Sequence, residues 1–228
     1  MQAPLSIVIP TLDAAPALPA TTEALLEGLA RGLVRELVIS DGGSGDETAA
    51  AARALGAVWV SGPAGRGGQL SRGAHAAQAP WLLFLHADTH LAPGWSDAVL
   101  DHMNQAPDKA GYFRLAFRSE ARAARIVAGW ANWRARVLGL PYGDQGLLIP
   151  RALYDATGGY PDQPLMEDVA MARALNGRLV ELPAEARTSP ARYETEGWLR
   201  RGRRNLATLC RYWLGADPRR LARRYYRD

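Results

Sequence analysis

Short apolar runs alternate with helix-spaced stretches through the first part of the chain. Leu5-Ser6-Ile7-Val8-Ile9 predicts a strand stopped by Pro10, and Leu18, Leu25, Leu26 and Leu29 carry helical spacing before Gly32 breaks it. Glu36 to Ser40 predicts a second strand that runs into Asp41-Gly42-Gly43-Ser44-Gly45-Asp46. Ser44 and Glu47 stand at capping-box spacing ahead of the strong helix former Ala49 to Leu55. Ala57 to Val60 predicts a third strand, followed by a glycine-rich loop, Ser61 to Gly68, and a small helix from Leu70 to Gln78. Trp81-Leu82-Leu83-Phe84-Leu85 is unbroken apolar sequence entered through Ala79-Pro80, which suits a strand buried on both faces of a parallel sheet. Strand and helix alternating over short connections imply βαβ units, an α/β class with a mostly parallel sheet.

The second half changes character. Gly94 to Gln105 predicts a helix, and Ala110 to Phe117 alternates Tyr112, Arg114 and Ala116 against Phe113, Leu115 and Phe117 as a half-buried strand would. Ala121 to Leu138 predicts a long helix with Ile126, Val127, Trp130, Trp133, Val137 and Leu138 on or near one face. A turn-rich loop, Pro141 to Gly146, precedes the short run Leu147-Leu148-Ile149. Helices are expected at Arg151 to Thr157 and Glu167 to Leu175, a strand at Leu179 to Leu182, and one or two amphipathic helices from Trp198 to Tyr226. With no repeat, low-complexity block or linker, residues 1–228 are expected to form a single domain.

Composition narrows the class only modestly. A 228-residue chain with 48% hydrophobic and 22% charged residues is an ordinary globular sequence with ample core-forming capacity. The single Cys210 excludes an internal disulfide framework and a multi-cysteine zinc site, which suits a reducing compartment. Met1-Gln2-Ala3-Pro4 shows no basic segment before an apolar one, and no stretch approaches the roughly 20 apolar residues of a spanning helix. A cytoplasmic protein, peripheral at most to the inner membrane face, is the expectation. The net charge of +4 comes almost entirely from arginine, with Lys109 the sole lysine, and no nucleic-acid-binding motif accompanies it.

Candidate chemistry gathers at the ends of predicted elements. In open α/β sheets ligands bind outside the carboxyl ends of the strands. Asp41 closes the second predicted strand, His86 and Asp88 close the fourth, and Glu167-Asp168 opens a helix. A carboxylate so placed can hold a hard cation that in turn holds phosphate oxygens. Each also has a plain structural alternative: Asp41 or Asp88 as a turn residue, Glu167 and Asp168 as first-turn acids favoured by the helix dipole.

With these residues in place, the chain resembles family 2 glycosyltransferases of the GT-A fold, from about Leu5 to Leu182. Ser6-Ile7-Val8-Ile9-Pro10-Thr11 resembles that family's opening strand, and Val38 to Asp46 its second, where an Asp contacts the nucleotide base. Phe84-Leu85-His86-Ala87-Asp88 is similar to the metal-binding Asp-x-Asp motif, and Met166-Glu167-Asp168 to the Glu-Asp pair whose Asp is the catalytic base of inverting members. Leu85-His86-Ala87-Asp88-Thr89, taken with Gly143-Asp144-Gln145, also resembles a small bacterial subgroup of about this size.

The resemblance implies a Rossmann-like αβα sandwich with a C-terminal helical extension. Residues of about 1–110 would form the nucleotide-sugar half, 111–190 the acceptor half, and 191–228 an amphipathic helical tail. It implies a UDP- or GDP-sugar donor and a manganese or magnesium ion on Asp88. Pro10, Thr11, Asp13, Asp41, Arg66, Gln69, His86 and Ala87 would line the nucleotide, with glycines 65, 67 and 68 admitting close backbone approach. Asp168 would be the base, Glu167 would orient it or the acceptor, and Asp144 and Gln145 would touch the acceptor.

Two departures qualify that picture. His86 stands where the motif has its first Asp, and imidazole suits transition ions better than magnesium. The Gln-x-x-Arg-Trp motif of processive polysaccharide synthases is absent near Trp198 to Arg204, which points to a non-processive transferase. The alternatives are a sugar nucleotidylyltransferase, against which Pro10-Thr11-Leu12-Asp13 tells, and a nucleotide-binding partner protein that has lost catalysis. In the tail, Arg200, Arg201, Arg203, Arg204 and Arg211 interleave with Trp198, Leu199, Leu206, Leu209, Tyr212 and Trp213. Such a helix either packs its apolar face on the domain or lies on an anionic membrane, which would suit a lipid-linked acceptor.

Overall fold

A computed structural model describes residues 2–225; Met1 and the last expected tail residue, Tyr226, lie outside the described residues. Strands β1 (Leu5–Thr11), β2 (Val34–Asp41), β3 (Val58–Ser61) and β4 (Trp81–Phe84) pair in parallel in the order β3-β2-β1-β4. Side chains of β1 and β4 alternate between two cores. Leu5, Ile7, Ile9, Leu83 and Leu85 pack with Leu18 and Trp95 on one face, while Val8, Leu82 and Phe84 pack with Leu70 and Ala74 on the other. Burial on both faces is what the unbroken apolar runs demand, and helices cover each face.

The sheet continues through the second half as β7-β6-β8-β5, with β5 (His90–Leu91), β6 (Ala110–Phe117), β7 (Leu147–Pro150) and β8 (Leu179–Thr188). β7 runs antiparallel to β4 and β6, β5 antiparallel to β8, and β6 parallel to β8. One sheet therefore carries residues from both halves to a common edge, where β1, β2 and β4 end at Thr11, Asp41 and Phe84.

The helices are α1 (Leu18–Glu23), α2 (Leu26–Ala30), α3 (Thr48–Ala54), α4 (Arg66–Ala76), α5 (Trp95–Gln105), α6 (Arg122–Leu138), α7 (Arg151–Ala156), α8 (Glu167–Leu175), α9 (Ala191–Glu196), α10 (Trp198–Trp213) and α11 (Pro218–Tyr225). A 3-10 turn, Gly143–Gln145, precedes β7. None of these helices is long and apolar enough to cross a membrane.

Several local expectations are corrected. The helix expected from Leu18 to Leu29 breaks into α1 and α2, and the Thr22 hydroxyl bonds back to the carbonyls of Leu18 and Pro19 just ahead of the break. Ser44 does not cap α3: its hydroxyl turns to Asp41, and Asp46 accepts the Thr48 N–H instead. β6 is buried on both faces through Phe113, and only beyond it does the expected alternation appear, with Arg114 exposed and Ala116 half-buried against buried Leu115 and Phe117.

The bulky residues expected on or near one face of the long helix α6 look outward. Its small residues Ala124, Ala128 and Ala131 face β6, against Leu115 and Phe117. Ile126, Trp130, Trp133 and Val137 face outward, Ile126 with 71% and Val137 with 58% of its surface exposed.

The glycine-rich segment also differs. α4 begins at Arg66, so glycines 67 and 68 belong to its first turn. A Cβ on Gly67 would lie 2.1 Å from the Pro161 carbonyl oxygen, and one on Gly68 would lie 2.8 Å from Asp162 Oδ1. The close backbone approach is therefore to the protein's own loop before α8, and it seats the start of α4 beside the Glu167-Asp168 pair.

Candidate active site

The parallel edge supplies the first wall. Thr11 and Asp41 end neighbouring strands in register, and Thr11 Oγ1 donates to Asp41 Oδ1 at 2.9 Å. Asp41 Oδ2 accepts the N–H groups of Gly43 (2.7 Å) and Ser44 (2.8 Å), and Oδ1 also takes the Ser44 hydroxyl at 2.5 Å. Burial opposes charge on Asp41, but these donors outweigh it and hold the carboxyl below its ordinary range. Four protein donors occupy its lone pairs, so Asp41 builds the loop, and a nucleobase N–H would have to displace one of them.

Gln69 is similarly committed. It is buried, its amide donates to the carbonyls of Thr11 (2.7 Å) and Ser40 (3.1 Å), and its oxygen accepts from Gly65. It ties α4 to two strand ends rather than facing a ligand. Asp13 sits exposed in a left-handed backbone conformation (φ 51°) with its carboxylate on the Gly45 N–H, and Pro10 lies half-buried beside it.

The second wall follows β4. His86, Ala87 and Asp88 are half-buried just past the strand end. His86 Nε2 is buried without a hydrogen-bond partner and lies 2.6 Å from where a Cβ on Gly143 would stand. Burial, then the positive fields of Arg66 and Arg192, drive the imidazole well below its ordinary pKa, leaving it neutral. The Asp88 carbonyl is held by Arg118 at 2.7 Å.

The third wall is the junction of the 3-10 turn with α8. Met166 adopts a left-handed backbone conformation (φ 65°), which turns Glu167 inward and leaves Asp168 half-buried. Asp168 Oδ2 accepts the Gly143 N–H at 2.9 Å, locking the turn to α8, and Oδ1 takes its neighbour's N–H at 2.8 Å. Glu167 is 1% exposed and pairs with Arg66 at 3.5 Å.

Asp144, whose buried Oδ1 has no hydrogen-bond partner, lines a crevice with Trp130, Arg134, Tyr142, Tyr193 and Leu206. Its pKa is pushed up to about 6 by burial, against the pull of Arg134, with Asp168 and Asp88 adding like-charge repulsion. Asp88, Asp144 and Asp168 thus share one electrostatic site. Gln145, expected to touch an acceptor, is instead fully buried, with its amide on the Phe113 carbonyl and Asn132 and its oxygen toward Tyr142 and Arg134.

A family model for glycosyl transferase family 2 matches residues 6–144 of this chain. The chain belongs to that family. Among solved structures it is similar to Staphylococcus aureus TarS 1-349 at 15% identity and a TM-score of 0.62, the match covering 82% of this chain and 61% of that one. It is also similar to Mycobacterium tuberculosis glucosyl-3-phosphoglycerate synthase in complex with Mn2+ and UDP-glucose. There the identity is 20%, the TM-score 0.56, and the coverage 82% of this chain and 69% of that one. TarS 1-349 has also been solved with UDP-GlcNAc. These likenesses identify the GT-A fold. No curated protein sequence matches the chain.

Several residues of this family 2 site escape a motif-based reading. Arg134 is buried in α6, with its guanidinium 3.4 Å above the Tyr142 ring and its Nε on the Leu140 carbonyl at 2.9 Å. Nothing in the sequence marks it, since Arg134 is one of four arginines along α6. Burial pushes the Tyr193 hydroxyl up to about 12, with Asp144 contributing, so it remains a neutral donor in the crevice.

The buried Glu167, paired with a half-buried Arg66, gives a pH test. Burial raises the Glu167 pKa from 4.5 to about 7, opposed by Arg66 and reinforced by Asp168. A carboxyl with a higher pKa when folded takes up a proton on folding between those values. Its stabilising contribution is full below pH 4.5 and is lost as pH rises through about 7. Glu167→Gln should flatten the fall in unfolding free energy between pH 6 and 7, above the Asp144 transition, by about 1 kcal/mol. Denaturant melts at stepped pH measure it; an unchanged slope would show that Glu167 is ionised throughout.

Proposed function

We propose that this family 2 chain is an inverting, non-processive glycosyltransferase using a UDP- or GDP-sugar donor in the cytoplasm. The observation that carries the reading is the junction at the carboxyl edge of a GT-A-type sheet where Gly143 donates its N–H to Asp168 and abuts His86. Residues of about 1–110 hold the donor and 111–190 the acceptor.

A divalent cation fits the donor set. Asp88 offers a carboxylate, and the orphaned Nε2 of neutral His86 is a nitrogen ligand suited to manganese. Among the described residues no group of three or more His, Cys, Asp or Glu could hold a metal, so diphosphate oxygens and water would complete the shell. Bound there, the ion supplies charge neutralisation for the departing nucleoside diphosphate.

The chain's own residues do the rest. Arg66, at the first turn of α4, adds positive field beside His86 and Asp144 and keeps Glu167 ion-paired. The acceptor hydroxyl, approached through the crevice at Asp144, attacks the anomeric carbon as the carbon–oxygen bond to the diphosphate breaks. The leaving oxygen keeps that bond's electron pair, and the hydroxyl proton passes to Asp168. The N–H groups of Gly143 and Val169, one on each carboxylate oxygen, fix the base, and each oxygen keeps a second lone pair for the proton.

Slow donor hydrolysis without acceptor tests this reading. An α-configured UDP-sugar should yield the β-anomer first, read by proton NMR. Retention of configuration, or no turnover of any UDP- or GDP-sugar, would overturn it.

A further inference from the structure

Four apolar side chains of α6, Ile126, Trp130, Trp133 and Val137, recur at spacings of three and four and so share one side of the helix, facing out. Trp130 and Trp133 stack at 4.9 Å between ring centroids. On α10, Leu199, Leu206 and Trp213 recur at sevens and are also exposed, and Leu214 follows with 88% of its surface open. Trp130 and Leu206 line the same crevice, so the two stripes meet along one α6–α10 face. An exposed apolar area of this extent marks an interaction surface.

Its charge says what kind. α6 carries four arginines and α10 five, and neither helix has an acidic residue. Arg122, Arg125 and Arg136 are exposed beside the α6 stripe and Arg200 and Arg203 beside the α10 stripe, with Arg136 also 3.7 Å from Glu181. Tryptophan and leucine flanked by arginine is the composition of a surface that sinks a few ångströms into an interface and pairs with lipid phosphates. We propose that the α6–α10 face docks this protein on an anionic lipid bilayer. The tail alone does not form the surface: α11 and Leu209 of α10 pack inward on Leu140, Leu165 and Val169, and α6 supplies half of the exposed apolar stripe. The crevice between the stripes leads to Asp144 and opens at the bilayer.

The full chain should be sedimented with phosphatidylcholine vesicles with and without phosphatidylglycerol. It should pellet with the anionic vesicles, remain largely in solution with the neutral ones, and be released by salt. Ile126→Ser/Trp133→Ser should lower partitioning at least about tenfold, since each change removes an insertable apolar side chain. Its unfolding temperature and its shift with UDP and manganese should be unchanged, which separates docking from folding and from the transferase reading. Absence of anionic-vesicle binding by the unmodified chain, or undiminished binding by the double variant, would overturn the proposal. So would a solution dimer that the double variant dissociates, since the face would then belong to a second copy.

Discussion

Asp168→Asn should lower transfer or donor hydrolysis by about 10²–10⁴-fold, the usual contribution of a positioned general base, and leave nucleotide binding within about twofold. The amide oxygen can still accept the Gly143 N–H, so the bond that locks the 3-10 turn to α8 survives. The loss should fall on kcat with little change in KM for the donor. Nucleoside diphosphate release measures the rate, and titration calorimetry measures the binding. A nucleotide-binding partner protein without catalysis would give no turnover to lose. Unimpaired turnover in the variant would remove Asp168 from the chemistry.

Gly143→Ala should be the most damaging small substitution in the site. The added Cβ meets His86 Nε2 at 2.6 Å and Cε1 at 3.1 Å, and that imidazole nitrogen is already buried. Either the imidazole moves off the turn or the turn lifts and breaks the Gly143–Asp168 bond. Overpacking of this kind costs about 1–3 kcal/mol, and activity should fall by more than the stability loss explains. The variant His86→Ala/Gly143→Ala should regain stability relative to Gly143→Ala, a coupling read by a double-mutant cycle. Strict additivity would mean that the turn does not press on His86.

The parallel βαβ character of the first half was legible because strands buried on both faces must be nearly all apolar, as β1 and β4 are. The acidic positions at element ends were legible for a related reason: Asp88 and Asp168 close or open elements, where side chains meet at a sheet edge. The direction of a polar side chain was not legible. Gln69 and Gln145 lie next to residues proposed to face a ligand, yet both spend their amides on backbone carbonyls, a choice made by tertiary packing. Nor was the orientation of α6. Its bulky residues were legible as lying near one face but not which way that face looks: the close approach of helix to β6 places alanines there, with Val127 at the margin. Gly67 and Gly68 signalled close approach correctly but not its partner, which is the loop at Pro161 and Asp162.

The most direct measurement is the unfolding temperature of the full chain with UDP or GDP, each with and without manganese, for the unmodified protein and Asp88→Ala. A ligand bound only by the folded state adds about 2.7 kcal/mol at a hundredfold excess over its dissociation constant. One nucleoside diphosphate should stabilise the protein strongly in the presence of manganese and weakly without it, and Asp88→Ala should lose the metal-dependent part. No stabilisation by either diphosphate at millimolar concentration with metal present, or a shift that survives Asp88→Ala intact, would contradict a metal-assisted nucleotide-sugar site at this edge of the sheet.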